Sequence, residues 1–141
     1  MREILFRGKS VNSGEWVEGS LVITTIEPAD DTPIKHYHIE DMTIGVFPNE
    51  FQSGLSETVD PETVGQFTGL TDKNGKKIFE GDIVKAERIC NRNSWTGCVA
   101  WWNGCFAIQG LKDGNNVPAI DLFKDYEVIG NIHDNPELME G

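Results

Sequence analysis

The chain has 141 residues, 38% of them hydrophobic and 25% charged, and carries a formal net charge of −11. That length suits one full domain, or a small domain with an appended one, and the hydrophobic share is above that of disordered chains. The acidic balance argues against bare nucleic acid and anionic membrane surfaces, and no apolar run approaches the ~18 residues of a membrane span. Met1 to Arg7 is too short and too charged for a secretory signal, and it predicts the opening strand of a cytoplasmic protein.

Strand signals follow one another along the chain, with almost no helical period. Glu3 to Arg7 and Glu15 to Thr24 are β-rich runs around a turn at Asn12-Ser13-Gly14, so the chain opens with a hairpin. Glu27 to Pro33 is a loop by composition, Ile34 to Ile39 a short strand, and Phe47-Pro48-Asn49-Glu50 a break. Phe51 to Asp60 shows no period and predicts a mobile loop or a single helical turn. A boundary near Pro61 divides an N-terminal β-rich region, residues 1–61, from a C-terminal one, residues 62–141.

The second region opens on two close turns. Asn74-Gly75 predicts a type I′ turn, with both central residues at positive φ, and Glu80-Gly81-Asp82 launches the strand that runs to about Ile89. Gly97 to Trp102 and Cys105 to Gln109 form a hairpin about Asn103-Gly104, setting Trp102 opposite Cys105, Trp101 opposite Phe106 and Cys98 opposite Gln109. A polar loop, Gly110 to Pro118, precedes a last strand from Tyr126 to Ile132. The predicted fold is mainly β: an N-terminal hairpin region packed with a small C-terminal barrel of the Src-homology-3 type. From about Gly69 onward that barrel would be closed or nearly so, with Ile83, Val99, Trp101, Phe106, Ile108 and Ile129 inside.

Phe6-Arg7-Gly8, Gly14-Glu15-Trp16-Val17, Val64 to Leu70, Asp72 to Lys76, Ile78 to Val84 and Tyr126 to Ile132 resemble the YopX family of small proteins found in bacteriophages and prophages. The likeness is densest from 64 to 84, and 34–60 aligns with nothing in it. It implies a C-terminal barrel of the Src-homology-3 type and a phage or prophage origin in a bacterial host cell. It carries over no activity, cofactor or catalytic residue.

Chemistry is thin. His36, His38 and Glu40 alternate along one strand, so all three face one way with side chains of metal-ligating type. No second motif completes the set, and a polar strand face accounts for it, so no metal is expected. Asp72-x-Asn74-Gly75 with Glu80 fails the EF-hand spacing. Cys90, Cys98 and Cys105 are an odd number without paired spacing and predict free thiols. No nucleophile elbow, phosphate loop or carboxylate pair stands out, so the chain is expected to be no enzyme, to need no cofactor and to bind.

The expectation is therefore a phage or prophage accessory protein, acting as a non-catalytic interaction module that self-assembles or engages a host or phage protein. The interface candidates are Ile4, Phe6, Trp16 and Leu21 of the opening hairpin, and Trp102, which faces away from the predicted core. Two alternatives stand beside it: a nucleic-acid-associated barrel touching its ligand through Lys73, Lys76 and Lys77, or a metal-dependent enzyme built on His36, His38 and Glu40.

Overall fold

The computed structural model of the protein describes residues 3–27, 32–41, 55–111 and 117–140. The chain divides into two units, Glu3–Gln66 and Phe67–Gly141, and both are antiparallel β structure with only short 3-10 turns of helix among the described residues.

In the first unit, β1 (Phe6–Lys9), β2 (Trp16–Ile26), β3 (Ile34–Asp41) and β4 (Leu55–Thr58) lie in the order β4-β3-β2-β1, and the first residues of β5 (Gly65–Thr71) pair with β1. The opening hairpin forms as its sequence predicts. Gly14 takes a positive φ of 71°, and the Ser10 hydroxyl oxygen accepts the N–H groups of Asn12 and Ser13 while donating to Glu57. β2 pairs with β1 over Trp16 to Gly19 on one edge and with β3 over Ser20 to Ile26 on the other. Gly19 stands at that changeover because a Cβ there would collide with the carbonyl of Glu40. The period of two then sorts the side chains: Phe6, Gly8 and Leu21 share a face with buried Ile39, and Arg7, Lys9 and Trp16 share the opposite one.

The region from Phe51 to Asp60 departs from expectation. Leu55–Thr58 is a strand, held by its ladder to β3, and the helical turn comes later, at Pro61–Thr63. Asp60 caps that turn by accepting from the N–H of Glu62 at 3.1 Å. Serine, threonine and glutamate hid the strand because its partner lies far off in sequence. Residues 28–31, 42–54 and 112–116, where loops and a break were expected, lie outside the described residues.

In the second unit the end of β5 pairs with β6 (Lys77–Phe79), and a four-stranded sheet runs β10 (Phe123–Asn131), β7 (Asp82–Arg88), β8 (Ser94–Trp102), β9 (Cys105–Gly110). Neither this sheet nor that of the first unit is closed among the described residues. Central β7 buries Asp82, Ile83 and Val84 in succession, and Val84 joins Ile78, Val99, Phe106, Ile108 and Phe123 in one core. Gly97 of β8 lets β9 approach closely, since a Cβ there would meet the carbonyl of Gln109.

Three expectations for this unit need correction. The Asp72–Lys76 turn is not type I′: Gly75 is at φ 82° but Asn74 is not in the positive region, and the bonds Gly75 N–H to Asp72 C=O and Asp72 N–H to Lys76 C=O define a three-residue loop. Ile129 is exposed, because Val128 pairs with Val84 and Gly130 with Ile83, leaving Ile129 as the extra residue of a bulge. Trp101 is also outside the core. It shares a face with buried Val99 and directly opposes buried Phe106, yet its indole lies edge-on to the Phe106 ring at the margin of that core and stays half exposed.

Candidate functional site

The β8–β9 hairpin ends in the two-residue turn its sequence predicts, and with Asn103 at φ 49° and Gly104 at φ 81° both central residues lie in the positive region of a type I′ turn. The predicted register holds: Trp102 opposes Cys105, Trp101 opposes Phe106 and Cys98 opposes Gln109. Trp101 stands edge-on to Phe106, ring centres 4.9 Å apart and planes at 81°, so one side of its indole covers a core residue while the side chain stays 52% exposed. Trp102 is 53% exposed on the other face, beside the exposed thiol of Cys105. Two adjacent half-exposed indoles therefore project from opposite faces of one short, turn-fixed tip. Trp95 differs: its indole N–H donates to Ile108 C=O at 3.3 Å, its ring packs on Phe123, and Arg88 lies over both rings.

The other interface candidates do not form one surface. Ile4 is exposed, whereas Phe6, Trp16 and Leu21 are partly buried. Phe6 and Leu21 turn toward the Ile39 face, and Trp16 turns the other way, with the Arg7 guanidinium 4.6 Å from its ring centre and the Lys9 ammonium at 5.7 Å. A hairpin is two-faced, and the spacing of its apolar residues puts them on both sides.

His36, His38 and Glu40 do share a strand face. The two imidazoles stack at 6.2 Å, and the polar neighbours of His38 are the hydroxyls of Thr24, at 3.5 Å, and Thr58, at 3.4 Å. Among the described residues no three His, Cys, Asp or Glu side chains are grouped as metal ligands. Lys73 forms an ion pair with Glu127 at 3.3 Å, and the Lys77 ammonium lies 5.8 Å from the Phe67 ring centre. A cleft of about 250 Å³ on the outer face of β7 sets Lys73, Lys85 and Arg92 against Glu87, Asp125 and Glu127, so its charges offset one another.

One organising residue was missed from sequence. Asp72 is buried, and its carboxylate accepts the backbone N–H groups of Asn74 and Lys76, both at 2.9 Å, and of Val128 at 3.1 Å. Burial raises its pKa, but those three N–H groups and the charge of Lys76 outweigh that and hold it below the ordinary value of 3.8. With the bond from Lys73 N–H to Tyr126 C=O, this turn covers the outer edge of β10. Asp at the first position of a turn was a visible local signal. The link to Val128, 56 residues on, was not.

Two antiparallel β units, the second carrying a tryptophan-tipped hairpin, define a small β-sheet protein with exposed aromatic side chains. The sequence matches the YopX protein family over residues 5–140, and the chain belongs to that family. Among solved structures it is similar to protein EF1440 of Enterococcus faecalis, with 27% identity, 99% of each chain covered and a TM-score of 0.50. It is also similar to the protein yopX of Bacillus subtilis, with 15% identity, 100% of this chain and 98% of that one covered, and a TM-score of 0.49. No curated protein matches.

Proposed function

We propose that this YopX-family chain is a non-catalytic protein-interaction module, with the Trp101–Trp102 tip as its contact surface. The observation that carries this is the exposure of two neighbouring indoles on a tip whose backbone is already fixed. Tryptophan is among the residues most enriched where proteins bind one another, and a rigid turn reduces the entropy lost on docking. The side chains around His36 and His38, hydroxyls and a second imidazole, favour a structural role for that face over a metal-dependent one. The net charge of −11 favours a protein partner over nucleic acid.

The second unit reads as an opened small barrel of the Src-homology-3 type, with Ile78 of β6 packed in the same core as the four-stranded sheet. Family membership supports a phage or prophage setting and a place in the bacterial cytoplasm, with a host or phage protein as partner. The test is comparative capture from lysate of a bacterium that carries the protein, using the wild type and a Trp101→Ala/Trp102→Ala variant that is fully folded at the temperature of capture. Proteins retained by the wild type and lost from the variant are the expected result. Equal retention by both would contradict the proposal.

A further inference from the structure

Beyond Gly19, β2 leaves β1 behind. Its far half, Val22 to Ile26, pairs with β3 on one side and has no strand or backbone partner on the other among the described residues. This edge lacks the usual protections. Gly19 to Ile26 contains no charged residue and no proline, although Glu18 and Glu27 bracket it and the chain as a whole is strongly acidic. The side chains from Ile23 to Ile26 are exposed, as is Ile34 opposite Ile26. A long, uncharged, β-branched edge is the type that pairs with another strand.

We infer that this edge pairs antiparallel with the same edge of a second copy of the chain. A copy fits for two reasons. Charge on the rest of the molecule repels a second copy, and this is a segment where two chains can meet without juxtaposing carboxylates. The segment is also self-complementary. A two-fold axis through Thr24, perpendicular to the sheet, sets Val22 opposite Ile26, Ile23 opposite Thr25 and Thr24 opposite itself, all of them aliphatic or β-branched pairs. The same axis keeps each copy's Ile39 face on one side, so the exposed Ile23 side chains extend an apolar surface already partly buried. This pairing uses none of the residues of the indole tip.

Sedimentation of the whole chain and a cysteine pair test it together. The wild type is expected to sediment as a dimer at tens of micromolar. Thr24→Lys, which sets two ammonium groups face to face at the axis, is expected to give a folded monomer, and Trp101→Ala/Trp102→Ala to remain dimeric. In a Cys90→Ser/Cys105→Ser background, Thr24→Cys should cross-link rapidly on mild oxidation, since directly opposed Cα atoms lie about 4.5–5.5 Å apart, within disulfide reach. Thr25→Cys, which faces Ile23 of the copy, should cross-link far more slowly. A wild-type monomer would mean that the edge is open or covered within the chain, and it overturns the inference. So would a dimer that survives Thr24→Lys, or cross-linking at Thr24→Cys no faster than at Thr25→Cys.

Discussion

Asp72 and Trp101 mark the two ways a single residue departs from what its neighbours in sequence suggest. Asp72 looks like a solvated turn carboxylate and is instead a buried acceptor for three backbone N–H groups. Asp72→Ala would leave those donors without their acceptor and should cost about 1–3 kcal/mol or more. The pH dependence follows from the direction of its shift. A folded-state value below the unfolded one contributes stability that is complete above the ordinary carboxylate range and lost as pH falls through the depressed value. Urea unfolding should therefore show a wide gap between wild type and Asp72→Ala at about pH 7 that narrows toward about pH 3. A constant gap would assign the loss to packing.

Trp101 is the reverse case, a large aromatic at a core-facing position that stays half exposed. Its replacement by alanine uncovers one side of Phe106 and should cost about 1 kcal/mol, near the middle of ordinary substitutions. Ile108→Ala, at a fully buried site two positions beyond Phe106 on the same face, should cost about 2–5 kcal/mol. Thermal or urea unfolding of the two variants ranks them, and equal losses would return Trp101 to the core.

At the scale of elements, turns and local pairings were legible because they rest on neighbours in sequence. Asn103-Gly104 fixed the β8–β9 register, and Asn12-Ser13-Gly14 placed the first hairpin. What escaped depends on distant strands. β4 has no apolar period and is a strand only through its ladder to β3, and Ile129 turns outward because β10 carries a bulge that no local signal announces. The same dependence governs Gly97, which reads as a weak point in a strand and is the place where Gln109 comes too close for a side chain. Gly97→Ala should separate β8 from β9 and cost about 1–3 kcal/mol or more, as overpacking does. Unchanged stability would mean that the strands can part at little cost.

For the whole molecule, sequence conveyed the mainly β class and the family, and no catalytic constellation. The candidate site was half legible. Trp102 was placed outward from its register, whereas Trp101 was assigned inward because alternation gives the face of a strand and not how far the core extends along it. The central claim is that the hairpin tip binds a partner through the indole on each of its two faces. Its most direct measurement is calorimetric titration of a captured and purified partner with the wild type and with Trp101→Ala and Trp102→Ala made singly. Each variant should weaken binding by about tenfold or more, the loss of ~1.4 kcal/mol that separates anchor residues from the rim, while Lys76→Ala/Lys77→Ala should bind as the wild type does. Affinity unchanged in both tryptophan variants would contradict the account.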